Sequence, residues 1–126
     1  RVENRGLKNV VIILSDAKDV IEKIFENSSV EEIHINFPDP WPKNRHSKNR
    51  LITELFLEKC ALILKDGGAI NFATDDFTYA QAAEKSALCV KRIKLAPPSE
   101  DQFPTYFAMK WKMSGRKLNY FRFVKT

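Results

Sequence analysis

No stretch of this chain approaches the ~20 consecutive apolar residues that a membrane-spanning helix requires, so a span across a bilayer is not expected. Cysteine is nearly absent. Cys60 and Cys89 lie far apart in apolar, helix-like surroundings, without the close spacing of a zinc site or a redox pair. Both are expected to be reduced core residues, and no metal centre is expected. Residues 1–9 are charged and lack the apolar core of a signal peptide, which makes a cytoplasmic protein the expectation. Internal repeats and low-complexity tracts are missing too, which excludes a repeat architecture.

What the 126 residues do contain is a basic balance: a formal charge of +5 and a pI near 9.3, which suit a polyanionic partner. The chain is long enough for one compact core. Its 44% hydrophobic and 29% charged residues fit a soluble globular protein.

Residues 10–14 form a continuous apolar, β-branched run, as in a strand buried on both faces of a parallel sheet. Val20, Ile21, Ile24 and Phe25 then recur at helical spacing. Ile33, Ile35 and Phe37 alternate with His34 and Asn36, which predicts a second strand. Leu51, Ile52, Leu55, Phe56 and Ile63 lay a stripe along a long helix, which Asp66-Gly67-Gly68 is expected to end. A strand over 69–73, an alanine-rich helix over 77–90, and strands over 91–95 and 118–124 complete the pattern. Strands alternating with helices imply a mostly parallel sheet covered on both faces, the last two strands forming an antiparallel edge.

In open α/β sheets ligands bind beyond the carboxyl ends of the strands, where three polar segments fall. Asp16, after the first apolar run, is either a ligand acceptor or an ordinary helix N-cap. The segment Thr74-Asp75-Asp76, after the 69–73 strand, either places a carboxylate at the same sheet edge or is again a helix cap. The segment 37–50 is more specific. It holds three of the six prolines, which fix φ and hold Asp39 and Trp41 in place before any ligand arrives. Lys43, Arg45, Lys48 and Arg50 follow with His46 among them, a cationic cluster suited to a phosphate backbone. Positive charge near a helix N-terminus opposes the helix dipole, which favours an anionic partner over a merely solvated helix start. Trp41 and His46 are candidates for stacking on a base; packing serves Trp41 equally well.

The run Phe-Pro-Asp-Pro-Trp at 37–41, continuing through Lys43, Arg45, His46, Lys48 and Arg50, resembles the signature of the bacterial tRNA guanine-N7 methyltransferases. Asp16-Ala17 before it and Ala73-Thr74-Asp75 after it agree in order. The resemblance implies a Rossmann-like class I methyltransferase fold. It also implies transfer of a methyl group from S-adenosylmethionine to guanine N7 in tRNA, by a monomer or homodimer. Asp16 and Asp39 would contact the cofactor, with Asp39 also the active-site residue. Lys43, Asp75 and Thr105 would contact the substrate, and residues from Arg45 to Arg50 the RNA.

Where such proteins show T-x-[FY]-E, this chain reads Thr105-Tyr106-Phe107-Ala108. The glycine-rich turn that cradles the cofactor's methionine end, and the acidic residue for its ribose, are not found. Residues 1–126 are therefore expected to be the C-terminal part of a methyltransferase domain, without its N-terminal strands. The competing expectation is a noncatalytic RNA-binding fragment or subunit that needs another polypeptide to complete the cofactor site.

Overall fold

The computed structural model describes residues 8–41, 43–98 and 118–126. Helix α1 (Ala17–Lys23) starts at Asp16, whose carboxylate accepts from the Lys18 amide at 2.9 Å; it sends Ile21 into the core. Strand β1 (Val30–Asn36) follows. A 3-10 helix (Asn44–Asn49) then leads to α2 (Glu54–Ile63), capped by the Thr53 hydroxyl, which accepts from the Phe56 amide. Strand β2 (Leu64–Thr74), helix α3 (Phe77–Leu88), and strands β3 (Ile93–Ala96) and β4 (Asn119–Lys125) complete the described elements.

The sheet order is β1-β2-β4-β3, with β1 parallel to β2 and β4 antiparallel to both its neighbours. The antiparallel edge is thus present. Two-residue alternation divides the sheet into unlike faces. Ile35, Ile70, Phe72 and Phe123 point into one core with Ile21 of α1, Phe56, Leu57 and Cys60 of α2, and Tyr79, Ala83 and Ala87 of α3. Among the described residues, helices therefore pack on one face only, not on both as expected. On the other face Arg122 of β4 donates at 2.8 Å both to Glu32 of β1 and to the Asn71 side-chain oxygen of β2. The hydrogen bond from Arg122 holds the Glu32 carboxyl below its usual range.

Three further expectations need correction. Residues 10–14 are not a strand: they are irregular and exposed, Val11 to 81% and Leu14 fully. A buried strand needs a neighbour for its backbone groups, and among the described residues none pairs with this run. Next, α2 begins at Glu54, with Leu51 and Ile52 outside it, and it ends at Ile63 rather than at the glycine pair. Gly67 and Gly68 lie inside β2, where the register jumps from Val30↔Leu64 to Glu32↔Ala69. Gly67 takes φ +80°, and a Cβ on Gly68 would meet the Glu31 carbonyl oxygen at 2.7 Å. The glycines are there for this bulge and its close backbone approach. Finally, Cys89 is exposed at the end of α3, whereas Cys60 is fully buried.

Two outcomes follow. Gly68→Ala should destabilise the protein by about 1–3 kcal/mol, because the clash is with backbone and cannot be relieved by a rotamer; urea unfolding reads this. Burial pushes the Cys60 thiol up to about 12, so at pH 8 almost no thiolate is present there. A thiol reagent should label Cys89 alone in the folded protein and both cysteines after denaturation.

Candidate active site at the carboxyl edge of the parallel strands

Strands β1 and β2 run in the same direction, with Asn36 opposite Ala73 at their carboxyl ends. The Phe37 amide extends the ladder one step by donating to the Ala73 carbonyl at 2.8 Å. Both chains then leave the sheet, so Asp39 and Asp75 emerge from adjacent strands at the same edge. Asp39 is exposed and Asp75 half-buried.

The turn that carries Asp39 is strained. Phe37 and Trp41 have φ of 53° and 42°, the left-handed region that bulky residues avoid, and each precedes a proline, a further restriction. Each such residue costs about 1–3 kcal/mol and persists only where its surroundings impose it. The Asp39 carboxylate accepts from the Trp41 amide at 3.0 Å, closing the turn on itself. Arg50 closes it from behind: Nε donates to the Pro40 carbonyl at 2.7 Å, and an Nη group to the Trp41 carbonyl at 3.4 Å.

Asp75 is placed by its neighbours. The Thr74 hydroxyl accepts from the Asp76 amide at 3.1 Å, the Asn119 side chain donates to the Thr74 carbonyl, and Asp76 caps α3 by accepting from the Tyr79 amide at 2.7 Å. Helix capping thus belongs to Asp76, not to Asp75. At the start of α1, Asp16 is itself an N-cap. Glu22 of α1 pairs with Lys59 of α2 at 3.2 Å, and farther on Ser28 donates to the Leu62 carbonyl. The two segments therefore run alongside in the same direction.

The five basic-segment residues differ in burial. Lys43, Arg45 and Lys48 are exposed on and around the 3-10 helix, while Arg50 is buried. Its guanidinium lies 5.3 Å over the Tyr79 ring. His46 is half-buried, its ring 5.7 Å from that of Trp41, so each packs on the other. Thr105 lies outside the described residues.

Tyr79 is the residue the sequence did not single out. It is fully buried on α3, its hydroxyl accepts from the Ile52 amide at 2.9 Å, and its ring packs 5.3 Å from that of Phe72. Burial raises its pKa, with the nearby Asp39 charge adding a smaller push the same way, while the Ile52 bond and Arg50 oppose. It therefore stays a neutral hydroxyl. The available signal was one large aromatic on the buried face of an alanine-rich helix, four positions after Asp75.

A family model described as "Putative methyltransferase" matches residues 1–119. The tRNA (guanine-N(7)-)-methyltransferase of Thermus thermophilus is 33% identical over 129 residues, covering 99% of this chain and 41% of that protein. The enzyme of the same name from Deinococcus radiodurans is 34% identical, covering all of this chain and 40% of its own. That from Chlamydia abortus is 31% identical, covering 99% and 58% respectively. The chain thus spans about half the length of the curated relatives it matches.

Because Asp76 rather than Asp75 carries the cap, Asp76→Ala should lower stability by about 1 kcal/mol, measured by chemical denaturation. Asp75→Ala should leave that cap and its contribution in place.

Proposed function

The chain belongs to the putative methyltransferase family, and from that premise we propose that it is the C-terminal part of a tRNA guanine-N7 methyltransferase domain that uses S-adenosylmethionine. The names of its relatives support the reaction. The observation that carries the reading is the convergence of Asp39 and Asp75 at one strand edge, beside an exposed cationic 3-10 helix. The protein acts in the cytoplasm, as a monomer or homodimer; among the described residues no helix is long and apolar enough to cross a membrane.

The residues present fit one side of the cofactor. The carboxylates of Asp16 and Asp39 are exposed acceptors for amino or hydroxyl groups. The paired glycines, Gly67 and Gly68, lie at the opposite end of β2 and serve its bulge, so the cradle for the methionine end is not built from them. When bound, S-adenosylmethionine supplies an electrophilic methyl group on a sulfonium.

Guanine N7 has an in-plane lone pair and no proton to lose, so this chain's residues align reactants more than they move protons. Asp39 accepts from a donor of the cofactor and from guanine N1–H or its exocyclic amino group, a pattern that adenine does not offer. Its charge also offsets the positive charge that appears on the methylated base. Asp75 contacts the base from the neighbouring strand. Lys43, Arg45 and Lys48 take the phosphates, and the His46 amide ties Lys43 to the 3-10 helix by donating to its carbonyl at 2.9 Å.

In the full-length protein, Asp39→Ala should cut methyl transfer to tRNA by roughly 100-fold or more, measured with radiolabelled cofactor; near-normal turnover would remove Asp39 from the site. The Lys43→Ala, Arg45→Ala pair should reduce the salt slope of tRNA binding by about 2, and an unchanged slope would contradict the phosphate assignment. Tight tRNA binding by a wild-type protein that transfers no methyl group would instead identify a noncatalytic RNA-binding subunit.

A further inference from the structure

Arg50 and Tyr79 sit outside the reacting groups, yet the strained Trp41 end of the Asp39 turn leads back to them. Two carbonyls of that turn, those of Pro40 and Trp41, are held by one guanidinium. The guanidinium rests on the face of a fully buried ring. The hydroxyl of the same ring takes the Ile52 amide, two residues past Arg50, and so fixes the chain that returns from the basic segment to α2. Tyr79 in turn stands on the helix whose first turn is capped by Asp76, next to Asp75.

We infer that Arg50 and Tyr79 form a buried strut that sets the position of the Asp39 turn against the Asp75 loop, and that Arg50 is a positioning residue rather than an RNA contact. The inference rests on the proposed function only for what the positioned carboxylates then do.

Three physical points carry it. A planar guanidinium can donate to two successive carbonyls at once, which a lysine ammonium on a flexible stem does less well. Buried carbonyls facing inward need donors, and in this turn two of the residues that could have supplied regular structure are held at positive φ. Without the donors, the strain at Trp41 is opposed only by the amide bond to the Asp39 carboxylate, and the turn relaxes toward ordinary φ with Asp39 displaced. The cation lies over the ring, whose π face offsets part of its desolvation. Tyr79 is therefore both the floor under Arg50 and the anchor for Ile52.

The strut and a phosphate contact make opposite predictions. In the full-length protein we would compare Arg50→Met, Arg50→Lys and Tyr79→Phe with wild type by amide hydrogen exchange and by the salt dependence of tRNA binding. The strut predicts that Arg50→Met speeds exchange at the Trp41 amide by roughly ten- to a hundredfold, the range for losing charge-assisted hydrogen bonds. Amides of α2 and α3 stay protected. Tyr79→Phe keeps the ring under Arg50 and removes only the acceptor, so the Ile52 amide should exchange roughly fivefold faster, with little change at Trp41. Arg50→Lys should fall between wild type and Arg50→Met. The tRNA salt slope should be the same in all four proteins.

Unchanged exchange at Trp41 in Arg50→Met, or a slope lowered by about 1 as for a lost phosphate contact, would overturn the inference. Should Arg50→Met fail to fold, Arg50→Lys and Tyr79→Phe read the same two amides with milder changes. The exchange arm needs neither cofactor nor RNA. Failure of the tRNA reaction in wild type with the exchange pattern intact would refute the proposed function and leave the strut standing; the reverse result would refute the strut alone.

Discussion

The parallel pairing of β1 with β2 is the constraint on which the rest depends. Asn36 stands opposite Ala73, and the Phe37 amide still finds the Ala73 carbonyl one step beyond the strand. Shift that register by one residue and the inward set Ile33, Ile35, Ile70 and Phe72 no longer matches across the sheet. The buried core thereby fixes the register. The register fixes where each strand ends, and the strand ends bring two carboxylates to a common edge. Hydrophobic packing some distance away decides which polar groups can act together.

Local chemistry adds what the sheet cannot supply. Prolines stiffen the segment after β1, but stiffness alone does not select a conformation, and the one adopted is costly at Phe37 and Trp41. Bonds made by a buried arginine and a side-chain acceptor at Asp39 hold it there. The cationic 3-10 helix follows this turn closely in the chain, so the surface suited to phosphate and the acidic turn are neighbours. A polyanion bound along the former would deliver a nearby base to the latter.

Much of this was legible beforehand, and the misses have physical causes. The alternation at Ile33 and Ile35, the N-cap reading of Asp16 and the alanine-rich helix are local signals, and each gave its element to within a few residues. The proline and basic segment was recognisable because its composition has little use in a plain connection. Residues 10–14 misled, because an apolar β-branched run specifies a strand only when another strand lies beside it. Gly67 and Gly68 resemble a helix stop in sequence and serve a bulge in space, since the same freedom of φ suits both. Arg50 could not be told from Lys43 or Arg45 by charge; what separates it is the aromatic face beneath it, contributed by Tyr79 from a distant part of the chain. Cys89 is likewise exposed just past the end of α3, between the buried Ala87 and Val90, so apolar neighbours in sequence did not imply its own burial.

The most direct test of the central claim is a crystal structure of the full-length protein with S-adenosylhomocysteine and a guanine nucleotide bound. The account predicts that the cofactor's sulfur and guanine N7 meet at the edge between the Asp39 turn and Asp75, with the Asp39 carboxylate touching both molecules. Ligands bound at the opposite end of the strands, or a guanine that leaves both carboxylates in solvent, would contradict it.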